Sequence, residues 1–257
     1  MRVFEAFLSC GSVCTDTRSI VPGSVFFALK GASFNGNTFA LQALQAGAAF
    51  AVVDEDVGED ERLIKVSDVL SALQECALEY RRHLNIPTIG LTGSNGKTTT
   101  KELFKAVLKT KYKVHATKGN FNNHIGVPLT ILSAPKETEI LIVEMGANHQ
   151  KEIEHLASIA EPTLGYITNY GKAHLEGFGG VEGLFLGTLR GALEEVFISQ
   201  RIPRPSLSSV AARHAPLSSR EPAAPQNRAV QSLPARLGQN LQRRLSRLWH
   251  RARGGRR

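Results

Sequence analysis

Seven consecutive residues have the types and spacing to hold phosphate: Gly93, Ser94, Asn95, Gly96, Lys97, Thr98 and Thr99. Glycine at 93 and 96 permits backbone angles that a side chain resists. The amides of residues 94–98 can then turn inward on phosphate oxygens, and a helix starting near Lys97 adds the positive end of its dipole. Lys97 reaches β- and γ-phosphates, and the Thr98 hydroxyl suits Mg²⁺. The spacing is Gly-x-x-Gly-Lys-Thr-Thr; Leu91 stands where the common phosphate loop has its first glycine.

Other candidates follow along the chain. Glu144 ends the apolar run 140–143, and an acid at the end of a buried parallel strand is a natural Mg²⁺ ligand. Asn120, Asn122 and Asn123 crowd one loop, where each amide offers donor and acceptor; a ligand-facing loop and a plain turn cluster are equally good readings of it. His174 lies just past a third expected strand, 164–168. Asp16-Thr17-Arg18 sits in a turn, where an acid beside an arginine is most simply a solvated corner. Cys10, Cys14 and Cys76 form no metal-like set, so reduced thiols in a cytoplasmic protein are expected.

These residues need a scaffold of strands ending at loops. Residues 1–85 read as a small α/β domain. Strands are expected at 24–29, 50–53 and 63–66. A helix is expected at 38–48 with Phe39, Leu41, Leu44 and Ala48 on its face. A second, capped by Ser67, runs to Leu84 with Val69, Leu70, Leu73, Ala77 and Tyr80 inward. Asn85-Ile86-Pro87 is the expected join. Residues 86–183 then carry the strand before the phosphate loop and a helix at 97–108 with Leu103, Phe104, Val107 and Leu108 inward. A strand starts at Val114, and a helix at 152–160 ends at Glu161-Pro162. The class is α/β with a mostly parallel sheet.

Charge divides the chain. The net charge is +8, but residues 184–257 hold fourteen arginines against three acids, net +11, which leaves −3 for residues 1–183. No nucleic-acid or membrane partner is expected for that mildly acidic body. No apolar run approaches the roughly 20 residues of a membrane span.

With the motifs assembled, the chain resembles the Mur ligases over about residues 3–183. The resemblance rests on Asp16-Thr17-Arg18, Phe27-Ala28-Leu29-Lys30-Gly31 and Thr92-Gly93-Ser94-Asn95-Gly96-Lys97-Thr98-Thr99. It rests equally on Gly119-Asn120-Phe121-Asn122-Asn123, Glu144-Met145-Gly146-Ala147 and residues 169–179. It implies a UDP-substrate domain at 1–85 and part of an ATP-binding central domain at 86–183. The implied reaction is that of the dipeptide-adding branch: ATP and Mg²⁺ activate the carboxylate of UDP-N-acetylmuramoyl-tripeptide as an acyl phosphate, which D-alanyl-D-alanine attacks in peptidoglycan precursor synthesis. By the same resemblance Lys97, Glu144, His174, Asn120 and Asn123 are catalytic. Thr98 and Glu144 hold one Mg²⁺, and His174 helps place a second. Asp16, Thr17, Arg18 and Lys30 line the nucleotide-sugar pocket.

The match stops after Gly183. The family places a carbamylated lysine fourteen residues after this histidine; here Thr188 stands there, and a truncated central domain lacking ligase activity is one expectation for this chain. Residues 184–257 read as an unrelated, disordered basic tail, rich in Pro, Ser, Ala and Arg at 199–236. The basic leucine pattern at 237–253 suits an acidic partner or anionic surface. The abrupt change to an arginine-only composition suits a shifted reading frame or gene join better. Two alternatives stand beside the ligase: a non-catalytic nucleotide-binding chain with a basic tail, and a Mur-type ligase for another amino acid.

Overall fold

The computed structural model describes residues 2–149, 151–168 and the backbone of 195–198. His174, the rest of the 169–179 motif, Thr188 and the basic stretch beyond residue 198 lie outside the described residues.

The first unit is a four-stranded parallel sheet in the order β1-β2-β3-β4: Val13–Cys14, Val25–Phe27, Phe50–Val53 and Leu63–Lys65. Successive side chains of a strand face opposite sides, so an apolar run serves two cores. Val25, Phe27 and Val52 pack with Ala6 and Phe7 of α1 (Val3–Cys10) and with α3 (Val69–Leu84). Phe26, Ala28, Ala51 and Val53 pack on the other face against α2 (Ala40–Gln45).

The second unit is a five-stranded parallel sheet in the order β6-β7-β5-β8-β9. The strands are β5 (Thr88–Thr92), β6 (Val114–Ala116), β7 (Ile140–Glu144), β8 (Leu164–Ile167) and β9 (Glu195–Ile198). Ile89, Leu91, Ile140, Ile142 and Leu164 face Phe104 and Leu108 of α4 (Lys97–Leu108). Leu141, Val143 and Ile167 face the other way, toward α5 (Gly126–Leu132) and α6 (Glu152–Ala160).

One apolar core runs through both units, with α3 as its spine. Tyr80 of α3 stands edge-on to Phe7 at 4.8 Å and donates its hydroxyl to Ala134 O at 2.8 Å. Arg81, 6% exposed, donates to Ala160 O and Glu161 O at the end of α6, at 3.0 and 3.1 Å. Burial pulls the Arg81 guanidinium down to about 10, against the opposing pull of Glu161. Two carbonyls at a helix C-terminus are the natural partners for such a cation.

Several local expectations need correction. Helix α2 starts at Ala40, after a 3₁₀ turn at Gly36–Phe39 begun by the Asn35 carboxamide, which accepts from Asn37 N. That shift of phase buries Ala40, Ala43 and Leu44 and leaves Phe39 and Leu41 exposed. Asp68, not Ser67, caps α3, accepting from Ser71 N at 2.6 Å. Leu103 faces solvent while Lys101, one turn before Phe104 on the sheet side, is 1% exposed. No sheet element was expected past residue 183, yet β9 pairs in parallel with β8; the run Val196-Phe197-Ile198 is strongly β-forming. Helices α1 and α5 and strand β1 had no counterpart in the sequence reading.

Candidate nucleotide and substrate sites

The strand-turn-helix from β5 to α4 puts the phosphate loop beyond a strand end of the central sheet. Gly93 and Gly96 adopt φ of 129° and 75°, and the second sits at the N-cap of α4. The first N–H groups of a helix have no intrahelical acceptor, so those of α4 point into the loop's mouth. Lys97 Nζ donates to Gly93 O at 2.7 Å and Ser94 O at 3.3 Å, which holds the ammonium over the loop. Thr168, at the end of β8, donates to Asn95 O at 2.6 Å and ties the loop to the neighbouring strand.

Glu144 ends β7, the neighbour of β5, and is 2% exposed. Its Oε1 accepts from Thr98 Oγ1 at 3.3 Å and Asn122 Nδ2 at 3.1 Å. Its Oε2 is buried without a hydrogen bond, and Lys101 Nζ lies 3.5 Å away. The Thr98 hydroxyl and the Glu144 carboxylate oxygen it meets form a hard donor set that fits Mg²⁺. The structure therefore brings Thr98 and Glu144 into contact, while the neighbouring Lys97 turns its ammonium to the loop carbonyls. Among the described residues no group of three His, Cys, Asp or Glu surrounds this point.

The asparagine loop uses its three members in different ways. Asn122, not assigned a role from sequence, touches Glu144, and its carbonyl accepts from Gly146 N at 2.8 Å. Asn123 Oδ1 accepts from Ile125 N and Gly126 N at 3.2 and 2.8 Å, so its oxygen starts α5. Asn120 is exposed. Asn122 and Asn123 line a cavity of about 680 Å³, together with Lys97, Gly146, Lys151 and His155 of the central unit. Ser71 and Gln74 of α3 close it from the other side, and Gln74 Nε2 donates to His124 O at 3.0 Å.

A second polar cluster lies beyond the strand ends of the first sheet. After β1, Asp16 caps the turn Thr17–Ser19 and grips Arg18 with both oxygens, at 2.9 Å to Nε and 2.6 Å to Nη2. The Arg18 hydrogen bonds hold Asp16 down to about 2. Just past β2, Lys30 Nζ bridges Asp54 and Glu55, both at 3.0 Å, from the end of β3. Asn37, 1% exposed, donates to Asp54 Oδ1 at 2.7 Å and accepts from Asp54 N at 3.1 Å. Burial raises Asp54, but the bonds from Asn37, Lys30 and the Val69 amide outweigh it and leave the carboxyl lowered. Sequence reasoning missed Asn37, Asp54 and Glu55. The rule applied to Glu144, an acid directly after a parallel strand, would have found Asp54.

Comparison with known proteins gives the chain's family. The Mur ligase family, catalytic domain, matches residues 11–81, and the Mur ligase middle domain matches residues 91–187. Residues 11–187 belong to the Mur ligase family. The UDP-N-acetylmuramoyl-tripeptide–D-alanyl-D-alanine ligase of Bacillus subtilis is 47% identical over 175 residues, 67% of this chain and 38% of the relative. That of Escherichia coli is 39% identical over 179 residues, 70% of this chain and 40% of the relative. Among solved structures, MurF of Thermotoga maritima in complex with ADP superposes with a TM-score of 0.63 at 36% identity, covering 71% of this chain and 43% of that one. MurF of Acinetobacter baumannii gives 0.62 at 36% identity, covering 69% and 39%. The chain thus spans about two fifths of the length of the relatives it matches.

Proposed function

We propose that this chain carries the UDP-substrate and ATP-binding parts of an ATP-dependent ligase that adds D-alanyl-D-alanine to UDP-N-acetylmuramoyl-tripeptide. The observation that carries the reading is the meeting of Thr98 Oγ1 and Glu144 Oε1 at 3.3 Å beside a Gly-x-x-Gly-Lys-Thr loop, within a stretch of 175 residues 47% identical to a ligase of that name.

In this reading the γ-phosphoryl group of ATP passes to the tripeptide carboxylate, ADP leaves, and the dipeptide amine displaces phosphate from the acyl phosphate to form the amide. Lys97 and the first-turn amides of α4 bind the phosphate oxygens and oppose the charge that develops on them. Mg²⁺, held through Thr98 and Glu144, would screen the β- and γ-phosphate oxygens. Asn122 orients Glu144 for that task. The Asp16–Arg18 and Lys30–Asp54–Glu55 groups, at the strand ends of the first sheet, are assigned to the nucleotide-sugar. Asn120, Asn123 and His174 are assigned to the reacting ends. The cytoplasm is the compartment that suits these substrates.

The test is calorimetric binding of UDP-N-acetylmuramoyl-tripeptide, and of ADP with Mg²⁺, to the purified chain. The reading predicts that both bind and that Lys97→Ala weakens the nucleotide while leaving the UDP-substrate bound. Absence of either binding event, or nucleotide binding indifferent to Lys97, would refute it.

A further inference from the structure

Lys101 is a buried ammonium that the proposed chemistry does not use. It is 1% exposed and lies 3.5 Å from Glu144 Oε2 and 3.5 Å from Glu102 Oε1. An uncompensated charge at that depth is costly, so the ammonium must answer a buried carboxylate. Glu102 is a weak claimant: its side chain is 55% exposed and shared with Lys105 at 3.7 Å. Glu144, 2% exposed, is the partner that shares Lys101's burial. Lys101 also follows Thr98 by three residues and Lys97 by four, which puts all three on neighbouring positions of α4. The Glu144 carboxylate is therefore split: Oε1 faces Thr98 and Asn122, and Oε2 faces Lys101.

We propose that Lys101 is a positioning residue that holds Glu144 through Oε2 and, by partly neutralising it, keeps the site from taking free divalent cation in the absence of nucleotide. A cation arriving at Oε1 meets a carboxylate already half answered by the ammonium. Nucleotide phosphates add enough negative charge to outweigh Lys101, so cation and nucleotide enter together. The proposal rests on the reading of Thr98 and Glu144 as the Mg²⁺ ligands.

Mn²⁺ binding to the full chain, followed by electron paramagnetic resonance with and without ADP, tests it. Wild type is expected to bind free Mn²⁺ weakly and Mn²⁺ with ADP more tightly. Lys101→Met is expected to bind free Mn²⁺ more tightly by roughly tenfold or more, since a unit positive charge beside the ligating carboxylate has been removed. Lys101→Arg keeps the charge and is expected to stay near wild type. Lys101→Gln retains a donor for the buried carboxylate and carries the test if the methionine variant does not fold. A purely structural role predicts the opposite sign, a looser site and weaker binding. Unchanged or weakened affinity for free Mn²⁺ in the folded neutral variants overturns the proposal. Glu144→Gln separates the two levels: if it leaves Mn²⁺–ADP binding intact, the metal-ligand reading itself is wrong.

Discussion

Gly126→Ala tests how the asparagine loop is held against the site. Gly126 opens α5 without a positive φ, so helix propensity alone favours alanine there, by about 1 kcal/mol at most. The obstacle is steric: an added Cβ would lie 2.4 Å from both C and Cα of Phe121 and 2.8 Å from its carbonyl oxygen. All three are backbone atoms, so no rotamer change relieves the contact. The loop must retreat by about 1 Å to restore ordinary van der Waals distance, at the upper end of overpacking costs, about 3 kcal/mol. The net loss is about 2 kcal/mol. Asn122 follows Phe121, and its 3.1 Å bond to Glu144 does not survive a retreat of that size. Losing that hydrogen bond weakens Mg²⁺-dependent ADP binding by roughly fivefold. Urea unfolding followed by circular dichroism gives the first quantity and titration calorimetry the second. A variant more stable than wild type by about 1 kcal/mol, as propensity alone dictates, would refute the reasoning.

Three further outcomes are expected. Lys151 holds φ at 66° before α6, where a side chain is strained, so Lys151→Gly raises stability by about 1 kcal/mol in thermal unfolding; a lower midpoint would contradict this. Arg81→Met leaves Ala160 O and Glu161 O without their buried donor and costs about 3 kcal/mol in urea unfolding, and a loss below about 0.5 kcal/mol would show that the bonds contribute nothing. Burial holds His115 below its ordinary 6.5 despite the Thr130 carbonyl. The unfolded chain therefore binds the proton first: the neutral ring's contribution is complete above 6.5 and is lost as pH falls through the lower folded value. His115→Gln flattens that part of the stability profile, and an unchanged slope would assign it elsewhere.

The strands and the phosphate loop were legible because apolar runs and glycine spacing are local signals. Residues 140–143, 152–160 and 97–108 were read close to their observed bounds. What escaped depended on tertiary context. Lys101 looks like any helix-surface lysine, and only the buried Glu144 at the end of β7 makes it an inward residue. Leu103 was placed inward by its apolarity alone, yet the buried face is set by Phe104 standing edge-on to Tyr166 at 4.9 Å. Asn122 and Asn123 are indistinguishable by type; which one touches Glu144 follows from Asn123 being engaged in starting α5. In the first sheet, Asp54 directly follows the expected strand 50–53 and drew no notice there; only its burial against Asn37 and Lys30 marks it as part of a polar cluster.

The central claim is that residues 93–98 and Glu144 form a nucleotide site that works with Mg²⁺. Calorimetry of ADP binding to the chain, with and without Mg²⁺, tests it most directly in wild type, Lys97→Ala and Glu144→Gln. The account predicts binding that Mg²⁺ strengthens, that Lys97→Ala weakens by roughly tenfold or more, and whose Mg²⁺ dependence disappears in Glu144→Gln. ADP binding that is unaffected by either substitution, or absent in wild type, would contradict it.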